Sequence, residues 1–307
     1  MVRPRRERRA AALLLGLCGA SGLCSCGTAA ERDAATQSSA GALENDRAEA
    51  ALPEEALNAT WQELAVPGAS NRPALASTPV GFLAVSRRTV GDTRAPSAWE
   101  SYLYRSSDGI GWQRVEVSAD NSNLWLRGVA YGAGHYVLAG MRFGGGDGVI
   151  FHSTDAEHWE EIPVSTGAPS GLSAVVFAGS RFFALSTFRT LLSSSDGAAW
   201  ASVDLGSTVM PLDVTFGNGL YLLVGSGDVQ RSADGARWVP TQLDCAMPGA
   251  CITDPGGNVL QGLHSRAVFA AGTFFIDQAS SADGQSWQPL PGRYPRASVG
   301  GFVLGST

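Results

Sequence analysis

Five copies of one short phrase, a glycine-centred hairpin flanked by aromatics, and a repeat spacing near 40 residues predict an all-β protein, a six-bladed β-propeller of four-stranded antiparallel blades. The phrase reads Ser-x-Asp-Gly-x-x-Trp at Ser106–Trp112, Ser194–Trp200, Ser232–Trp238 and Ser281–Trp287. Ser153–Trp159 differs in carrying Ala156 where the others carry glycine. The aspartates, Asp108, Asp155, Asp196, Asp234 and Asp283, lie 47, 41, 38 and 49 residues apart, the range of propeller blades.

The chain begins with an address rather than with this pattern. Met1–Arg9 is strongly basic, and Ala10–Leu23 is an apolar run of signal-peptide length, too short for a stable membrane span. Leu23-Cys24-Ser25-Cys26-Gly27 resembles a bacterial lipobox, which would make Cys26 the lipidated N-terminus of the mature protein. Acyl chains on that residue would give durable anchoring. Residues 1–25 are therefore read as a lipoprotein signal peptide. Residues 26–54, rich in Ala, Ser and Glu and poor in large apolar residues, are read as a flexible tether that cannot bury enough surface to offset its ordering entropy. Residues 55–307 are read as the propeller domain. The location expected is the bacterial cell envelope, on the outer membrane; plain secretion is the alternative.

Within each period the same sub-elements recur. The hairpins Tyr131–Tyr136, Phe177–Phe182, Phe216–Tyr221 and Phe269–Phe274 place an aromatic on each side of a glycine turn. A third strand follows, such as Val149–His152, and then the Asp phrase. After Trp112, Trp159 and Trp200 the alternation with Val115, Ile162 and Val203 marks a fourth strand with one apolar face. At the ends, Trp61–Val66 reads as a fourth strand and Ala297–Gly305 as a hairpin. Together they complete a last blade closed by strands from both termini, which removes exposed sheet edges. Five and seven blades are the alternatives.

The phrase resembles the Asp box, or BNR repeat, of the sialidase-like β-propellers, although it is one residue shorter between Asp and Trp. That resemblance places it at the turn between the third and fourth strands. Each aspartate is expected to accept hydrogen bonds from backbone N–H groups one and two positions on, and Trp112, Trp159, Trp200, Trp238 and Trp287 are expected to wedge between blades. In that family ligands bind on the face formed by the loops that lead into the innermost strands and join the second and third. Carried over by position, the candidate binding face is Asn121, Asn123, Arg127, Arg142, Asp147, Arg189, Asp213, His264 and Arg266.

No catalytic constellation accompanies this face. The Phe/Tyr-Arg-Ile-Pro motif of sialidases is absent, no serine sits in a Gly-x-Ser-x-Gly elbow, and His135, His152, His158 and His264 are dispersed, so neither metal nor cofactor is expected. Without the first 25 residues, 17 basic and 27 acidic side chains leave a net charge of −10, which argues against nucleic acid and leaves the lipid as the only membrane contact. Cys245 and Cys251 share the longest inter-blade loop of an exported chain and are expected to form a local disulfide. The function expected is a monomeric binding module for a protein or glycan partner. The alternatives are a carbohydrate-active enzyme with two channel carboxylates and an assembly factor for an envelope complex. The anchor is directly testable: Cys26→Ser should abolish incorporation of a clickable fatty acid in cells and release the chain from the membrane fraction.

Overall fold

A computed structural model describes residues 66–67 and the chain from 74 to 306, except 93–94, 120–122, 143–145, 165–170, 187, 206–209, 226–227, 242–251, 254–258, 261–265, 277–278, 290–293 and 300–301. All of these belong to the larger of two units; the smaller, Leu13–Glu63, lies outside the described residues, as do Cys26, Trp61 and the Cys245–Cys251 pair. The described residues form five four-stranded antiparallel sheets. The first comprises β1 (Ala74–Thr78), β2 (Gly81–Asp92), β3 (Ala95–Ser106) and β4 (Gln113–Val115). The second comprises β5 (Leu124–Gly132), β6 (His135–Arg142), β7 (Gly148–Ser153) and β8 (Glu160–Ile162). The third comprises β9 (Leu172–Ala178), β10 (Arg181–Ser186), β11 (Leu191–Ser194) and β12 (Ala201–Val203). The fourth comprises β13 (Pro211–Gly217), β14 (Leu220–Gly225), β15 (Asp228–Ser232) and β16 (Val239–Thr241). A small ribbon, β17 (Ile252–Thr253) with β18 (Val259–Leu260), precedes the fifth sheet of β19 (Ala267–Ala270), β20 (Thr273–Ile276), β21 (Ala279–Ser281) and β22 (Gln288–Pro289). A last hairpin pairs β23 (Tyr294–Val299) with β24 (Phe302–Ser306).

The first strands of successive sheets pack side by side in chain order, β1 on β5, β5 on β9, β9 on β13, β13 on β19 and β19 on β23. Sheets arranged around their first strands in this way are the blades of a β-propeller. The expected hairpin near the C-terminus is present as β23–β24; its expected partner strand, Trp61–Val66, lies outside the described residues except for the buried Val66.

Each Asp phrase is the turn between the third and fourth strands of its blade. The aspartates accept from the amides two and three positions on, not one and two. Asp196 Oδ1 takes Ala198 N and Ala199 N, both at 2.9 Å, and also the Ser194 hydroxyl at 3.0 Å. The serine in turn accepts the amide that follows the aspartate, Gly197 N at 2.8 Å. The same bonds recur around Asp108, Asp155 and Asp234. The turn thus satisfies its own polar groups, and an Oδ1 with three donors is committed to it.

What the turn presents outward is a glycine on the preceding blade. Gly197 has φ +75°, and a Cβ built on it would stand 2.5 Å from Val137 Cγ2 on β6. Gly284 lies in the same way against Leu220 of β14. The tryptophan completes the wedge. Trp238 packs edge-on against Phe183 of the third blade, its indole N–H bonded to Gly235 O, inside a cluster drawn from the third and fourth blades. Equivalent two-blade clusters hold Trp159, Trp200 and Trp287. Ala156 takes the glycine's left-handed conformation, φ +64°, and is fully buried.

The hairpin aromatics pair across strands one and two of the second to fifth blades: Tyr131 with Tyr136, Phe177 with Phe182, Phe216 with Tyr221 and Phe269 with Phe274, ring centroids 4.5–4.8 Å apart. The first aromatic of three of these pairs also lies over a glycine of the blade before it: Phe177 over Gly132 and Phe269 over Gly217, where a Cβ would stand 2.1 Å from the nearest ring carbon, and Phe216 over Gly179, where it would stand 2.9 Å away. We expect Gly197→Ala to lower unfolding free energy by about 3 kcal/mol, combining left-handed strain with overpacking. Gly219→Ala, with a similar φ of +74° but open space around it, should cost only about 1 kcal/mol. Urea denaturation of the two variants checks the contrast.

Candidate functional site

Strand alternation gives the propeller two ends. The repeated turns and the aromatic hairpins share one end, the base. The starts of the first strands and the turns joining second to third strands share the other, the mouth. The base is occupied by structural contacts. Arg105 reaches Glu157 across the first two blades at 2.5 Å. Asn218 bonds the carbonyls of Gly272 and Ala282 across the fourth and fifth. A cleft of about 300 Å³ at the base is lined by Val80, Arg105, Ser106, Ser107, Gly111 and Gln113, none of them a sequence-predicted site residue.

The three described histidines, His135, His152 and His158, also lie toward the base. His135 Nδ1 sits 2.9 Å from His152 Nε2, and burial together with His135 holds the His152 imidazole below its ordinary range. His158 instead meets Asp155 Oδ2 at 2.7 Å, which raises the imidazole; the His158 amide, then this imidazole, hold the Asp155 carboxylate low. Among the described residues no three His, Cys, Asp or Glu side chains converge as metal ligands.

Of the predicted face, Asn121 and His264 lie outside the described residues. The others fall on the mouth in separate groups. Asn123 is exposed, with φ +58°, just ahead of β5. Arg142 ends β6 and pairs with Glu161 at 2.5 Å; its amide is bonded to the carbonyl of Asp147, which closes the β6–β7 turn. Arg189 is exposed in the β10–β11 turn, φ +53°, next to the exposed Phe188.

Among the described aspartates, Asp213 is the one whose carboxyl is pushed upward rather than down. It sits on β13 beside a register shift, Oδ1 accepting from Val214 N at 2.9 Å and Oδ2 from Ala267 N at 3.2 Å, so it joins the first strands of the fourth and fifth blades. Its edge is partly accessible, yet the protein packed around it pushes its pKa up to about 6, against the opposing pull of the two amides and Arg266.

Arg127 belongs to a cluster that position in the repeat does not reveal. The β5–β6 register shifts between Leu126 and Gly128, a bulge that leaves Arg127 without a paired partner on β6. Its guanidinium lies 4.9 Å from the centre of the Trp125 ring, and that of Arg87, from β2, lies 5.9 Å from the same ring. Burial depresses both arginines, and the charge of Arg87 depresses Arg127 further. Ser101 Oγ, on the strand paired with Arg87, accepts from Leu126 N at 2.9 Å and ties the first blade to β5 here. Arg87 and Trp125 were not among the sequence candidates. The available signal was Trp125 itself, one of three tryptophans outside the repeated phrases.

No family model matches the chain, and no curated protein matches it. Among solved structures, a catalytically inactive virginiamycin B lyase from Staphylococcus aureus superposes with a TM-score of 0.54 at 12% identity, over 78% of each chain. YCF48 from Cyanidioschyzon merolae gives 0.42 at 16% identity over 70% of each chain, and the Neurospora crassa Pan2 WD40 domain 0.42 at 10% identity over 75% of this chain and 82% of that one. The neighbours are β-propellers, and the likeness is one of fold.

The carboxyls at the two ends carry opposite pH signatures. Asp196, Asp234 and Asp283 are held at about 2 by backbone amides, so stability rises as pH climbs from about 2 to 4. Asp213 keeps its proton to about 6 in the folded chain, so stability falls as pH climbs from about 4 to 6, by at most about 3 kcal/mol. Asp213→Asn should remove the fall and leave the rise intact in denaturation midpoints measured against pH.

Proposed function

We propose that this chain is an exported, lipid-anchored propeller of the Asp-box class, whose mouth binds a protein partner in the bacterial envelope. The observation that carries this reading is the contrast between the two ends. The repeated residues are consumed in turns and wedges at the base, while the mouth presents non-repeating side chains on a rigid ring: Arg87, Trp125 and Arg127 together, and Phe188 and Met210 exposed. Function carried by non-repeating loops on a fixed scaffold is the usual arrangement in such folds. The lipid on Cys26 and the tether to residue 54 would hold the head off the membrane, and a Cys245–Cys251 staple would stiffen the loop beside the fifth blade. The virginiamycin B lyase likeness, at 12% identity, carries no activity over.

The test is site-specific photo-crosslinking in intact cells. A photoreactive residue in place of Arg189, at the mouth, should give discrete adducts with an envelope protein, whereas one in place of Ala236, at the base, should not. Adducts from the base alone, or from neither position, would overturn the proposal. Deleting residues 245–251 and finding the same adducts would remove the loop from it.

A further inference from the structure

The histidine pair at the base is not required by the repeat. His135 opens β6 and His152 lies on β7, 17 residues apart in the chain, with Nδ1 of the first 2.9 Å from Nε2 of the second. Val137 is paired with His152 across the two strands, so alternation puts His135, two residues earlier, on the same face of the second blade. The equivalent positions hold Arg181 and Ser193 in the third blade, Leu220 and Arg231 in the fourth, and Thr273 and Ser280 in the fifth. The hairpin and the turn therefore form without imidazoles, and the second blade alone brings two together.

Two imidazole nitrogens on one tetrahedral metal ion stand about 3.3 Å apart, so this gap has to open by only about 0.4 Å as the rings swing from each other toward the ion. The rings start close to that posture, their centroids 5.1 Å apart and their planes 35° from parallel. Both histidines are half-buried and keep an edge toward solvent. The third blade's turn backs His152, since a Cβ on Gly197 would stand 3.3 Å from its Cδ2. Burial, with His135, holds the His152 imidazole below its ordinary range, so at neutral pH the ring is uncharged and its lone pair can bind a metal. The surrounding charge is negative: Glu160, paired with His152 from β8, and Asp196, in the third blade's turn, both favour positive charge at this ring. Imidazole selects zinc, copper or nickel over magnesium and calcium, which take oxygen ligands. We propose that His135 Nδ1 and His152 Nε2 together bind one divalent transition-metal ion of the zinc and copper class at the base of the second blade. Among the described residues no third side chain converges there, so the other coordination positions are left to water or to an incoming ligand.

The test uses the full lipidated chain in detergent, purified without a polyhistidine tag and stripped with a chelator. Zn2+ and Cu2+ are titrated by calorimetry, and bound Cu2+ is read by electron paramagnetic resonance. One equivalent of either ion should bind, Cu2+ more tightly than Zn2+, and the Cu2+ spectrum should carry coupling to imidazole nitrogen. Mg2+ at the same concentration should not bind. His135→Gln and His152→Gln should each weaken Zn2+ binding at least about tenfold with an unchanged circular dichroism spectrum. His135→Gln carries the test if His152→Gln, packed on the third blade, does not fold. His158→Gln, which removes the imidazole held by Asp155, should bind as the wild-type chain does, and so should Cys245→Ser with Cys251→Ser. Absence of saturable Zn2+ binding, undiminished binding by folded His135→Gln, or loss of the site in His158→Gln or the cysteine double variant would overturn the proposal. The site lies at the opposite end from the mouth, so its outcome is independent of the photo-crosslinking result.

Discussion

The aspartate oxygen at the centre of each repeated turn accepts two amides and one serine hydroxyl, and the structure depends on what that arrangement holds in place. It fixes a left-handed residue at the tip of the turn, a point where a blade's outer edge touches the second strand of the blade before it. The tryptophan three residues further on then fills the remaining gap. A sheet buried on both faces has few other ways to be specified, since its strands carry little polar patterning. Here the specification comes from the turn: hydrogen bonds set the backbone, the backbone sets the contact, and the contact sets the angle between blades.

This division explains which parts of the molecule were legible in the sequence. The blades were readable because each needs the same serine, aspartate, glycine and tryptophan for local reasons, so the pattern survives in every period. The paired aromatics were readable for the same reason, and their registers fall where the glycine turns put them. The first blade shows the limit. Its β1–β2 hairpin pairs Ser77 with Phe82, without the aromatic pair, so nothing in the sequence marked it. The direction of the aspartate bonds was also misjudged by one residue, because the serine hydroxyl and not the aspartate takes the first amide.

The mouth was less legible. Position in the repeat located Arg127 and Asp213 on the correct end, but their surroundings come from features with no sequence period. Register shifts beside Arg127, Ser173 and Asp213 occur near the starts of three first strands, and each changes which way a side chain leaves the sheet. Arg87 stands on a strand twelve residues long, two residues past the end of its pairing with the five-residue β1, and nothing in the sequence indicates that it reaches Trp125. Contacts made between blades by unrepeated residues leave no spacing to read.

The aromatic-over-glycine stacking runs one way only: Phe177 sits on Gly132, and Phe269 on Gly217, never the reverse. The third and fourth blades therefore each have a plug on one side, Phe177 or Phe216, and a socket on the other, Gly179 or Gly217, like links in a chain. A stretch of gene copied in register would arrive with both halves matched to its neighbours, whereas a stretch cut out of register would leave a phenyl ring facing a Cβ. Growth and shrinkage of such a ring are thus restricted to whole periods, whatever the mouth has come to bind.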